Sequence, residues 1–198
     1  MTRFTAVMLA LAALAPSAAC AQLVDATSED YAVYRAAVSA LLARSSSAGL
    51  PDGVTVVAAR TQPLLAEETF RLIPPRLMAD IDPGTVEGVR AVEGQGGRVA
   101  ADSLALPGAF RELAPQADDS MFVEPKDIFV SWRRFHERFG TDAVRLTVSR
   151  VGFNRDHTQA VVHVRRMCDG LCGYGETLLM QKQDGRWSVQ RAISVTRN

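Results

Sequence analysis

From Val144 to Val195 apolar and polar residues alternate in four successive runs with a turn signal between each pair, a spacing that predicts an antiparallel meander. In the first run Val144, Leu146 and Val148 share one face, and Arg145, Thr147 and Ser149 share the other. Phe153 to His157 supplies a turn. In the second run Ala160, Val162 and Val164 alternate with Gln159, Val161, His163 and Arg165, ending at the glycine-rich stretch Cys168 to Gly175. The third run is Glu176 to Lys182. Asp184-Gly185 follows as a tight hairpin signal, because such a turn needs positive φ and glycine supplies it at little cost. In the fourth run Trp187, Val189, Ile193 and Val195 are expected to face the core.

Helical spacing dominates the earlier part. Ser28-Glu29-Asp30 reads as a helix start, and Tyr31, Tyr34, Val38, Leu41 and Leu42 form one apolar stripe up to about Arg44. After Pro51-Asp52-Gly53, the β-branched run Val54 to Ala59 predicts a strand that either pairs with the C-terminal sheet or stands at its edge. Leu64 to Ile73 reads as a helix stopped by Pro74-Pro75, with short helical turns at 76–80 and 85–92. Gly94-Gln95-Gly96-Gly97 is a loop, and without a preceding strand or a following GK[ST] it does not read as a phosphate cradle. Ile128, Trp132, Phe135 and Phe139 recur at four, three and four, so the helix from Phe129 to Phe139 is expected to lie across the sheet, with Gly140 as its C-cap. The expected fold class is α+β, with N-terminal helices packed on a C-terminal four-stranded antiparallel meander.

Residues 1–21 read as a signal peptide, leaving 22–198 as a single α+β domain. Arg3 is the basic start, Ala6 to Ala15 is an apolar run too short to span a bilayer, and Ala19-Cys20-Ala21 fits cleavage before Gln22. Cys20 opens a second reading, a lipoprotein cut before a lipidated cysteine, although Ser17 stands where such signals carry a large aliphatic residue. The protein is therefore expected to be exported, periplasmic or secreted, or else an outer-membrane lipoprotein.

Composition removes some function classes. The 198 residues are 47% hydrophobic and 22% charged, enough for one domain with a sizeable core, and Lys+Arg equals Asp+Glu at 22 each, so a general nucleic-acid surface is not indicated. Membrane contact is expected only if Cys20 is lipidated. Of the basic residues only Lys126 and Lys182 are lysine, and the arginines are scattered, as a GC-rich coding sequence would leave them. Cys168 and Cys172, the cysteine pair of the folded part, read as a disulfide in an exported chain. A ring that small stabilises by only about 2 kcal/mol in the chain-entropy model, so its role is to fix the loop between the second and third strands.

Chemistry is sparse. Neither G-x-S-x-G nor H-E-x-x-H occurs, and His136, His157 and His163 make no metal spacing with one another. A soft metal on Cys168, Cys172 and His163 would need reduced thiols in an oxidising compartment. Ser149 and His163 could meet across neighbouring strands, but no orienting acid or oxyanion site is evident. No catalytic residue, metal site or cofactor is assigned. Arg145, His163, Arg165 and Gln181 point away from the Val144-Leu146-Val148 face, and with Arg150 they are candidates to line a polar groove for an anion or a peptide. Arg145, Arg150, His163 and Arg165 are therefore the candidate ligand-binding residues.

Ser149 to Asn154, Gln159 to Val162, Cys168 to Gly175 and Asp184 to Trp187, together with Trp132-Arg133-Arg134-Phe135, resemble an uncharacterised family of exported bacterial proteins over roughly residues 127–190. That resemblance implies an exported bacterial origin and carries no established activity. Helices followed by a sheet ending in Asp-Gly-Arg-Trp also look loosely like NTF2-like cone folds, whose curved sheet often encloses a pocket. The expected function is a non-enzymatic domain binding an unidentified protein or small molecule in the cell envelope. The alternative is an enzyme of unrecognised type, a hydrolase or isomerase with a pocket between helix and sheet.

Overall fold

Where the alternation predicts four strands, seven form one mixed sheet. The computed structural model describes residues 23–47, 53–71, 73–106, 108–123 and 127–197; Cys20 and the rest of 1–21, expected to be a signal peptide, lie outside them. In chain order the elements are β1 (Val24–Asp25), α1 (Ser28–Ser47), β2 (Thr55–Ala58), α2 (Ala66–Arg71), α3 (Pro75–Met78), α4 (Pro83–Val92), β3 (Gly97–Arg98) and β4 (Phe110–Leu113). There follow α5 (Pro115–Asp118), a π-helical turn at Asp119–Val123, α6 (Ile128–Phe139), β5 (Val144–Val148), β6 (Gly152–Phe153), β7 (Gln159–Met167), β8 (Gly173–Gln183) and β9 (Arg186–Arg197). β1 and β3 pair separately, in parallel.

The large sheet runs β4-β2-β5-β7-β8-β9, with β6 also pairing on β7. The meander β5-β7-β8-β9 is antiparallel as the pattern indicated, but β2 joins β5 and β4 in parallel, so the four-stranded meander is corrected to a seven-stranded mixed sheet. β2 is internal rather than an edge, and its four residues are all buried. β4 escapes the sequence pattern because it is an edge strand of four residues with only Leu113 buried. At the hairpin between β8 and β9, Asp184 (φ 50°) and Gly185 (φ 76°) both take positive φ, the turn the Asp-Gly pair signals.

Helix α1 begins in a reciprocal cap one residue earlier than its sequence suggests. The Asp30 carboxylate accepts from the Thr27 amide at 2.7 Å, and the Thr27 hydroxyl accepts from the Asp30 amide at 3.1 Å. Val33, Tyr34, Ala37, Val38 and Leu41 then pack on the first face of the sheet against Val144, Leu146, Val148, Val162, Val164, Leu178 and Met180. The Tyr34 hydroxyl donates to the Ser149 carbonyl at 3.0 Å, and burial pushes its pKa well above the ordinary phenol range. Toward the end of α1 the first face turns polar. Glu176, almost fully buried, accepts from Arg44 Nε at 2.8 Å and from the Tyr174 hydroxyl at 2.8 Å, and Arg166 is buried on the same face.

The second face is covered at both ends, which its arginines and histidine did not announce. At one end Val161, Leu179 and Ile193 pack under Leu64, Ala66, Ile81 and Val89 of the α2–α4 region. Helix α4 lies almost on the backbone of β6: a Cβ on Gly88 would stand 1.8 Å from the Phe153 carbonyl oxygen, so only glycine permits this approach. A polar clip holds the same join. Asn154 donates to Asp82 at 2.9 Å and accepts from the Gln159 amide at 2.9 Å, and that Asn154 bond is the first reason the Asp82 carboxyl sits below its usual range.

At the other end α6 lays Trp132 and Phe135 over Val56, with Met167 beside them. Asp127 caps α6 by accepting from the Phe129 amide at 2.8 Å, and the Gly140 amide closes it by donating to the His136 carbonyl at 2.9 Å. Ile128, expected on the buried stripe, is 46% exposed. Cys168 and Cys172 stand at disulfide distance, with Cα atoms 5.2 Å apart, and His136 Nε2 lies 2.7 Å from the Cys168 carbonyl oxygen, tying that loop to α6.

Candidate functional site

Between the two apolar caps the second face carries a polar strip set by strand register. One row across it is His163-Thr177-Ser194 and the next is Thr147-Arg165-Gly175-Thr196. Beyond them stand the apolar pair Val161-Leu179 on one side and, on the other, Met167 between Arg145 and Gly173. A cavity of about 250 Å³ opens over the first row, with His163, Thr177 and Ser194 as its floor and Gln62, Leu64, Leu65 and Glu68 among its walls.

The floor is hydrogen-bonded across three strands. The Ser194 hydroxyl donates to Thr177 Oγ1 at 3.0 Å, and Thr177 Oγ1 is 2.9 Å from His163 Nδ1. Thr177 Oγ1 thus joins the Ser194 hydroxyl to the imidazole. Burial first, and the positive charge of Arg165 second, push the His163 pKa down to about 4. The ring is therefore neutral near pH 7. On the wall, Gln62 Oε1 accepts from the Thr147 hydroxyl at 3.1 Å, while its Nε2 is buried and without a hydrogen-bond partner among the described residues.

A histidine depressed in the folded state makes stability pH-dependent. The unfolded chain binds a proton near pH 6.5 that the folded chain refuses until about pH 4, so the neutral ring's contribution is complete above 6.5 and is lost as pH falls toward 4. His163→Gln is expected to flatten the fall in stability across that window. Denaturation of both proteins at a series of pH values, with the imidazole titration followed by NMR, checks it; a His163 midpoint near 6.5 would contradict the buried neutral ring. Arg165 on β7 and Glu68 on the opposite wall are the charged groups that face the ring among the described residues.

The candidate groove residues separate into different sites. His163 lines the cavity, and Arg165 lies one row along. Arg145 is on the same face but already neutralised: its Nε and Nη2 donate to Asp118 at 2.9 and 2.7 Å, and Phe122 lies 4.5 Å from its guanidinium carbon. Arg150 is elsewhere, abutting Gly97 near Thr61, with Nε and Nη1 buried and unpartnered among the described residues. Gln181 pairs with Gln159 beyond the Val161-Leu179 row. Ser149 does meet His163, but it accepts from the backbone amide at 2.9 Å and is fully buried, so it is no nucleophile.

No family model, curated protein or solved structure matches this chain. The functional reading therefore rests on the site itself. Among the described residues no three His, Cys, Asp or Glu side chains group to hold a metal ion, and no helix is long and apolar enough to cross a membrane. The cysteines, at disulfide distance from each other, do not converge with His163, whose Nδ1 is engaged by Thr177.

Thr177 and Ser194 were missed from sequence for a definite reason. Counting back from the Asp184-Gly185 turn puts Ala192 opposite Thr177, but two irregularities in the β8–β9 ladder advance the register and bring Ser194 there.

Proposed function

We propose that the protein is an exported envelope or periplasmic binding domain that holds a small ligand in the cavity above His163, Thr177 and Ser194, and that it catalyses no reaction. The observation that carries this reading is the cavity's floor. Between the apolar caps at its two ends, the sheet face carries a connected hydrogen-bonded row where the cavity opens. Pockets that orient small ligands combine apolar walls with a few placed polar groups, and Leu64 and Leu65 beside His163 fit that description.

The chemistry argues against a hydrolase or isomerase. With a pKa of about 4 His163 is a weak general base near pH 7, and its Nδ1 partner is a threonine hydroxyl rather than an orienting carboxylate. Ser194 gives its proton to Thr177 and has no base of its own.

Native mass spectrometry of the protein isolated from its own envelope fraction tests the reading. A small molecule retained by the wild type and lost from Thr177→Leu, which fills the floor, is the expected result. A wild type that carries nothing, with Thr177→Leu indistinguishable from it, would overturn the pocket assignment. The same spectra report the N-terminus: a chain starting at Gln22 supports a soluble exported protein, and one starting at lipidated Cys20 an anchored lipoprotein.

A further inference from the structure

Arg165 has a charge the described fold does not answer. It is half-buried in the polar strip, and among the described residues no side chain or carbonyl bonds its guanidinium. Its neighbour Arg145 differs in this respect, being closed by two bonds to Asp118. Arginine stays protonated under all ordinary conditions, so a partly desolvated guanidinium must be met by water or by an anion. Burial, and then repulsion from Arg145, already work against its charged form.

The space around Arg165 is shaped by an absent side chain. Across the strand pair stands Gly175, where a Cβ would be 3.0 Å from Arg165 Cγ and 2.8 Å from Thr196 Oγ1. The arginine stem runs over the glycine, with Thr147 and Thr196 as flanking hydroxyls in the same row. His163 is two residues back on the same face, about 7 Å away along the strand. A molecule seated against Leu64, Leu65 and His163 thus needs to extend by only one row to reach this cation.

We propose that the ligand of the cavity carries an oxyanion, a carboxylate or phosphate group, and that Arg165 takes it up while the rest of the molecule lies over His163. The proposal rests on the pocket reading above and adds the chemical class of the ligand. Planar guanidinium and two-oxygen anion match in geometry as well as charge. Glu68 on the opposite wall is exposed, so water and salt screen its repulsion.

Titration of the purified protein with inorganic phosphate, followed at the Arg165 Nε–H and the His163 ring by NMR, tests it. Phosphate is expected to shift the Arg165 resonance saturably and to raise the His163 pKa, because the bound anion cancels the charge that helps depress it. Arg165→Gln should weaken phosphate binding by about tenfold or more, while Arg150→Gln leaves it unchanged. No saturable shift at Arg165, or a His163 response that survives in Arg165→Gln, overturns the proposal. Those results would leave the pocket reading intact if the wild type still retains a molecule that Thr177→Leu loses. Failure of the retention experiment marks failure of the pocket instead.

Discussion

Phe135→Ala is expected to lower the unfolding free energy by about 3–5 kcal/mol, a large share of the stability of a domain this size. Phe135 is fully buried where α6 crosses the second face, with ring centroids of Trp132, Phe122 and Phe139 at 5.3, 5.8 and 5.1 Å. Truncation removes most of a ring and leaves a void that neighbours on a helix and a sheet cannot collapse to fill. Phe129, on the same helix, is 68% exposed, so Phe129→Ala should change stability by less than about 0.5 kcal/mol. Denaturant midpoints of the two variants, compared at equal m-value, decide the matter. A loss at Phe135 no greater than at Phe129 would mean that α6 is not docked on the sheet as described.

Asp118→Ala is the second large effect, at about 3 kcal/mol, the lower end of the range for breaking a buried ion pair. The pair is well enclosed, with side-chain exposures of 17% for Arg145 and 10% for Asp118, and it joins α5 to β5. Most of the cost lies in leaving Arg145 desolvated beneath Phe122 without its carboxylate. The order of variants is therefore diagnostic: Asp118→Ala should be the worst, Arg145→Met milder, and the double variant Asp118→Ala/Arg145→Met better than Asp118→Ala alone. Additive losses in that cycle would show that the two side chains are not coupled. Asp118→Ala also frees a second cation beside Arg165, so it should tighten phosphate binding at that strip, whereas a purely structural pair would leave it unmoved.

The site was half legible in sequence. Alternation put His163 and Arg165 on one face of one strand, which needs no tertiary information because strand parity is local. It could not separate Arg145 from Arg165, since the carboxylate that closes Arg145 comes from Asp118, on another element 27 residues earlier in the chain. The cavity's walls were equally hidden. Gln62, Leu64 and Leu65 stand over the sheet because β2 is threaded between β4 and β5, and parallel pairing of distant strands leaves no mark in a period-2 pattern.

What the sequence determined by itself were the elements whose causes are local. The apolar stripes of α1 and α6, the positive-φ hairpin at Asp184-Gly185, the first-face core of Val144, Leu146, Val148, Val162 and Val164, and the spacing of Cys168 and Cys172 all follow from neighbours a few residues apart. Tertiary structure decided what those elements meet. It put α1 rather than α6 on the main core, turned Ile193 to the second face through an irregularity in the β8–β9 ladder, and left Val195 48% exposed. It also brought Ser194 to Thr177 and left Arg165 without a carboxylate among the described residues. A bulge moves one residue of register and an ion pair spans any sequence distance, so neither is written in the periodicity of a single strand.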